Sequence, residues 1–171
     1  YVTMCGISGL YSTVNSPDEH VLKQMNSCLD YRGPDDSGYF QDGPIGFAHR
    51  RLSIVGVDTG QQPIFNEDET VSVIFNGEIY NYPELRDKLE PEHTFGTDTD
   101  TEVLVHLYEE HGTSFIKQLQ GMFAFALWDV DEQQLLLARD RIGIKPLLLA
   151  DDGETMSFAS ELQPLLSSTV D

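Results

Sequence analysis

Apolar positions along the chain fall into two kinds of run. Residues 5–11, 38–40, 45–54, 71–75, 121–128, 134–139, 146–150 and 155–159 are short, rich in branched or aromatic side chains and bounded by turn residues, so each predicts a β-strand. The 121–128 run is apolar on both faces, as a strand buried between layers must be. Between these runs the spacing changes to that of a helix. Val21, Leu22, Met25, Cys28 and Leu29 share one face, and Val103, Leu104, Leu107, Tyr108 and His111 share another. Ser16 as N-cap, Pro17 at the first helical position and Glu19 form a capping box for the first helix. Thr99 to Glu102 forms a second box ahead of a helix that stops at Gly112. Asn81 caps a short helix with Leu85 and Leu89 behind it, and a fourth helix covers residues 160–166. Asn76-Gly77 between β-rich runs is a strong hairpin signal and predicts a tight turn there. Many short strands, mostly in hairpins, with about four helices gathered in two or three places predict an antiparallel α+β domain built in layers.

The 171 residues suit one domain with one core, and no repeat, linker or low-complexity segment divides them. The chain carries 29 acidic and 10 basic residues, a formal net charge of −19. A surface that acidic repels phosphate backbones and anionic lipid, so nucleic acid and membrane are excluded as partners. With 40% hydrophobic residues the charge does not signal disorder; it resembles the hydrated surface of proteins from salt-loving organisms, with stability expected to rise with salt. Cys5 and Cys28 make no disulfide framework, and the five histidines fall in no metal-binding spacing, so no metal is expected. The longest apolar run, 122–128, is too short to span a bilayer, and the expected location is the cytoplasm.

Three features carry chemistry. Cys5 follows Met4, so removing Met4 makes it the first residue, with nucleophile and base on one amino acid. Reference pKa values of about 7.7–8.0 for the amine and about 8.5 for the thiol let a proton pass between them near neutral pH. The bland alternative is a small apolar residue in a strand; for Cys28, on a helix core stripe, a buried inert thiol is expected. A papain-like Cys5–His49 pair is a further option. Arg50 and Arg51 in a strand point one to each face, so one of them enters the interior and needs an anion. Asp100, in a first helical turn, is expected ionised and aimed outward at the helix end.

A set of stretches then completes the picture: Met4-Cys5-Gly6-Ile7, Arg32-Gly33-Pro34-Asp35, Ala48 to Val55, Phe75 to Asn81 and Thr99 to Glu102, followed by Gly121 to Ala126, Arg139 to Pro146 and Phe158 to Leu162. In this order and spacing, from Met4 to about Leu166, the chain resembles a class II glutamine amidotransferase domain, an N-terminal-nucleophile (Ntn) hydrolase, and most closely the glutaminase half of a glutamine-dependent asparagine synthetase. The resemblance implies a four-layer αββα sandwich of two antiparallel sheets. It implies that residues 1–4 are an extension and residues 5–171 the amidotransferase domain. In it Cys5 attacks the side-chain amide of L-glutamine, Asn76 and Gly77 form the oxyanion hole, Arg51 holds the α-carboxylate and Asp100 the α-ammonium, and Glu78 helps orient the substrate. Tyr31 stands where the family usually has histidine, and Leu148-Leu149 where it usually has two tyrosines. No Ser-Gly-Gly-x-Asp-Ser phosphate loop is present, so the domain itself needs no cofactor, and ATP and Mg²⁺ are expected only in a synthetase domain or subunit that receives the ammonia. The alternative is a non-catalytic interaction or regulatory domain, with Cys5 blocked by the residues before it.

Overall fold

The computed structural model describes residues 4–52 and 60–168. The chain runs β1 (Gly6–Ser12), α1 (Glu19–Ser27), β2 (Asp36–Asp42), β3 (Ile45–Arg51), β4 (Ile64–Phe65), β5 (Val71–Ile79), α2 (Tyr82–Leu89) and α3 (Val103–His111). A 3-10 turn (Gly112–Gln118), β6 (Gly121–Asp129), β7 (Gln134–Arg139), β8 (Leu148–Asp151), β9 (Thr155–Ala159) and α4 (Leu162–Ser168) follow. Two antiparallel sheets result, one of order β2-β3-β1-β9-β8 and one of order β4-β5-β6-β7. Ile7, Ile45, Phe47, Ile74, Ala124, Ala126, Trp128 and Phe158 meet between them. The opposite face of β5 and β6, including Val73, Phe75, Phe125 and Leu127, packs on α2 and α3, while α1 and α4 cover the first sheet. This is the four-layer sandwich expected, and the alternation of each strand between two apolar layers explains why β6 has no polar face.

Several local expectations move. The N-cap of α1 is Asp18, which accepts from His20 N at 2.7 Å, so Ser16 and Pro17 lie before the helix. A carboxylate two residues from the first free amides outcompetes the hydroxyl further out. Leu22, Met25 and Leu29 are buried as the stripe predicts, but Val21 and Cys28 are half-buried and the Cys28 thiol rests 3.8 Å from Ser167 Oγ. Asn81 precedes α2 but its side chain accepts from Gln120 N and donates to Gln118 O, tying that helix to the start of β6 rather than capping it. Helix α3 is buried on all sides from Val103 to Tyr108, leaves His111 exposed and ends at Gly112, whose φ of 52° favours glycine. The largest change is at Asn76-Gly77: β5 runs straight through both residues, with Asn76 opposite Ala124 and Gly77 opposite Phe123. Residues 53–54 of the predicted strand 45–54 and residues 1–3 of the extension lie outside the described residues. Among the described residues no helix is long and apolar enough to cross a membrane.

Candidate active site

Cys5 stands immediately before β1, at the end of the inner face shared by the two sheets. The Arg32-Gly33-Pro34-Asp35 loop fixes it: Arg32 Nε donates to Cys5 O at 3.0 Å and its guanidinium is held by Glu161 at 2.5 Å, a carboxylate that also accepts from Tyr31. Burial works to raise the Glu161 carboxyl, but the Tyr31 and Arg32 bonds hold it below the usual carboxylate range. The same loop lies against the end of β3, with Asp35 N donating to Arg51 O at 3.1 Å. Along β3 the alternation puts His49 and Arg51 inward, while Arg50 turns outward to Asp30 at 2.5 Å. One arginine therefore enters the interior, as its spacing predicts.

The Cys5 thiol accepts from Leu52 N at 3.4 Å and lies 3.6 Å from Leu52 O. Burial pushes it above the ordinary thiol range, opposed by the Leu52 amide and by the charges of Arg51 and Lys145. His49 is no partner for it. Its ring is fully buried, with Nε2 3.1 Å from Phe75 O across the sheets, and desolvation takes its pKa down to about 3. A histidine neutral in the fold and titrating near 6.5 when unfolded takes up its proton only on unfolding between those values. Stability is thus full above about pH 6.5 and falls with pH toward 3, with a slope approaching about 1.4 kcal/mol per pH unit. Urea unfolding at pH 5 and 7 should show this loss, and His49→Gln should flatten it; equal slopes in both chains would refute the assignment.

All six residues singled out from the sequence line one cleft: Cys5, Arg51, Asn76, Gly77, Glu78 and Asp100. Their side chains come from two sheets and one loop. Asn76 projects from β5 to the inner side, buried to 1% exposure, and among the described residues its Nδ2 has no hydrogen-bond partner. Asp100 accepts from Ile79 N at 2.8 Å, which locks its loop to the end of β5. Helix α3 begins only at Val103, because Asp100 is engaged across the loop and the Glu102 carboxylate reaches back to Gly96 N and Thr97 N, each at 2.7 Å. Asp100 is therefore not an outward-pointing acid at a helix end. Burial pushes its carboxyl up, opposed by the Ile79 amide and reinforced by the nearby Glu78 charge.

The sequence left Lys145 and Arg32 without roles, and both belong to this site. Asp140 is buried and gathers the amides of Ile144 at 2.9 Å and Lys145 at 3.0 Å, folding the Arg139 to Pro146 stretch so that Lys145 lines the cleft. Its ammonium lies 2.9 Å from Met4 Sδ, and burial lowers its pKa. The available signal was scarcity: with ten cations in a chain of net charge −19, a lysine in a loop beside a glycine and a proline stands out. Met4 N donates to Arg32 O at 3.1 Å, and its side chain occupies one wall of the cleft.

A family model described as a glutamine amidotransferase domain matches residues 4–171. The chain belongs to that family. The amidotransferase domain is 46% identical over 168 residues to asparagine synthetase [glutamine-hydrolyzing] 2 of Bacillus subtilis, covering 96% of this chain and 22% of that protein. Asparagine synthetase [glutamine-hydrolyzing] 1 of the same organism is also 46% identical over 168 residues, with 95% and 27% covered. A putative asparagine synthetase of Methanocaldococcus jannaschii is 42% identical over 182 residues, with 95% and 33% covered. The chain thus spans a third or less of these relatives. Among solved structures, glutamine phosphoribosylpyrophosphate amidotransferase from B. subtilis shares the fold at a TM-score of 0.78 and 20% identity, over 96% of this chain and 43% of that one. A second, titled as the allosteric regulatory enzyme of purine biosynthesis, does so at 0.81 and 21%, with the same coverage. The Ntn sandwich is the fold of the domain.

Proposed function

We propose that the domain hydrolyses the side-chain amide of L-glutamine to glutamate and ammonia, and supplies the ammonia to an asparagine-synthetase-type domain or subunit. The observation that carries this reading is the buried amide of Asn76, unpartnered among the described residues, on the same cleft as the Cys5 thiol. A buried donor without a partner costs about 1–3 kcal/mol, and an oxyanion formed beside it recovers that cost in the transition state. Once Met4 is removed, the Cys5 α-amine takes the thiol proton and sulfur attacks the amide carbon. Negative charge gathers on the amide oxygen, facing Asn76 Nδ2 and the Gly77 N–H. Collapse breaks the C–N bond, the Cys5 ammonium returns its proton to the leaving ammonia, and a γ-glutamyl thioester remains. Water, activated by the same amine, releases glutamate and regenerates the thiol.

Arg51 offers its planar fork to the α-carboxylate and Asp100 its carboxylate to the α-ammonium, with Glu78 on the rim. Lys145 and Arg51 place positive charge beside the sulfur and favour its thiolate. ATP and Mg²⁺ are assigned to the synthetase half, and the cytoplasm to the whole protein. The charge of −19 supports adaptation to high salt, with stability rising toward molar salt.

We infer further that a residue preceding Cys5 keeps the site silent: with Met4 attached, Cys5 has an amide in place of its base, and the Met4 thioether lies 2.9 Å from the Lys145 ammonium. Intact mass before and after exposure to a glutamine analogue carrying an alkylating diazoketone tests this. A chain starting at Cys5 should gain one adduct and a chain retaining Met4 none. A Cys5-initiated chain without an adduct would overturn the catalytic reading in favour of a non-catalytic interaction domain.

A further inference from the structure

On the far side of the second sheet, four side chains from three separate stretches of the chain converge on a single point. Glu67 lies in the β4–β5 connection, His93 follows α2, and His106 and Glu109 stand one turn apart on α3. One ligand-type atom from each lies within 4.8 Å of all the others. His106 Nδ1 is 3.1 Å from Glu109 Oε2 and 3.4 Å from Glu67 Oε2; His93 Nδ1 is 3.5 Å from Glu67 Oε1 and 3.7 Å from Glu109 Oε2. We propose that Glu67, His93, His106 and Glu109 form a structural site for a divalent transition-metal ion, with Zn²⁺ as its occupant.

Hydrogen bonding alone does not account for the arrangement. Each Nδ1 faces two carboxylates but carries at most one hydrogen, and the two rings lie only 4.6 Å apart, where two imidazolium charges would repel. A tetrahedral ion with bonds of about 2.0–2.2 Å has ligand-to-ligand edges of about 3.3–3.6 Å. The imidazole-to-carboxylate distances above lie close to that range, Glu67 offering one oxygen to each ring, and all four ligand atoms fall within 4.8 Å. The surroundings also fit a ligated imidazole, whose other nitrogen normally meets a carboxylate. His93 Nε2 is 3.2 Å from Glu110 Oε1, and His106 Nε2, without a hydrogen-bond partner among the described residues, faces Glu102 Oε1 at 3.7 Å. Glu109 is oriented in turn by Asn66 Nδ2 at 2.8 Å and Glu67 by Thr94 N at 2.6 Å.

Two imidazoles with two carboxylates favour Zn²⁺ over Ca²⁺ or Mg²⁺, which take oxygen ligands, and four protein ligands leave no open position for catalysis. The ion's effect is on the stretch between His93 and α3. That stretch holds Asp100 against Ile79, and Glu102 clamps it through Gly96 and Thr97. The site therefore braces the loop that presents Asp100 to the cleft from the opposite side of the β5–β6 sheet.

The test uses the whole chain carrying Cys5→Ala, so that no thiol at the cleft competes for metal, purified without a polyhistidine tag. After chelation and dialysis, Zn²⁺ titration should saturate at one ion per chain and raise the thermal midpoint by about 5–10 °C at a hundredfold excess over Kd. Co²⁺ in its place should give the intense visible absorption of tetrahedral coordination. His93→Ala and Glu109→Gln, both at partly exposed positions, should each lose the Co²⁺ band and the thermal shift. No stoichiometric binding, an octahedral Co²⁺ spectrum, or a band retained in both variants would overturn the proposal. Should either variant fail to fold, the spectrum and stoichiometry of the Cys5→Ala chain still decide it. None of these readouts depends on glutamine hydrolysis, so failure here leaves the proposed function untouched.

Discussion

Asn76→Ala should lower kcat for glutamine hydrolysis by about 10²- to 10³-fold, the loss of one preorganised oxyanion donor. The reason is where the donor sits. Asn76 is buried on β5, it and Gly77 are locked opposite Ala124 and Phe123 of β6, and its Nδ2 has no hydrogen-bond partner among the described residues. It is held in place before any charge develops, so its contribution appears in the transition state and not in ground-state binding. KM should therefore change little. Asn76→Asp keeps the shape and removes the donor, and should lose at least as much. Steady-state kinetics on the Cys5-initiated chain would show it. A rise in KM with kcat unchanged would refute the oxyanion role and make Asn76 a substrate-binding residue.

Gly77→Ala should damage both stability and turnover. A Cβ at Gly77 would stand 2.2 Å from Met122 O and 2.7 Å from Phe123 Cα. Both obstacles are backbone of the neighbouring strand, so relief requires β5 and β6 to part at the cleft rather than a side chain to rotate. Overpacking of this kind costs about 1–3 kcal/mol, roughly 2–12 °C in Tm for a chain of this size. The displaced strand carries Asn76 and the Gly77 N–H with it, and kcat should fall along with Tm. Gly96→Ala is the control: its Cβ would meet nothing closer than Glu102 Oε1 at 3.7 Å, so Tm should stay within a few degrees. A Gly77→Ala chain with wild-type Tm and activity would show that the sheet opens there without penalty.

Asn76-Gly77 also marks the boundary between local and tertiary information. On propensity it is a hairpin turn, since asparagine and glycine tolerate the positive φ that such turns need. In the fold β6 runs antiparallel along the whole of β5, nine residue pairs from Val71 to Ile79, and holds the dipeptide extended. The glycine then serves close backbone approach instead of a turn. The same competition moved the caps. Ser16 and Thr99 have the residues of capping boxes, but Asp18 lies nearer the free amides of α1, and Asp100 and Glu102 were claimed by Ile79, Gly96 and Thr97. Capping rules describe a helix end alone; here the partners came from other elements.

By itself the sequence determined the four helices and most of the strands in their order, the inward turn of one of the paired arginines on β3, and the candidate nucleophile Cys5. These rest on periods of 2 and 3.6 and on neighbours along the chain, which local sterics and burial dictate. Only the tertiary structure decided that Lys145 would reach the cleft, that His49 would stay buried and uncharged apart from Cys5, and that Glu67, His93, His106 and Glu109 would meet. Those groups lie up to 141 residues from their partners, as Lys145 does from Met4. Sheet pairing and layer packing set such distances, and no spacing rule along the chain encodes them.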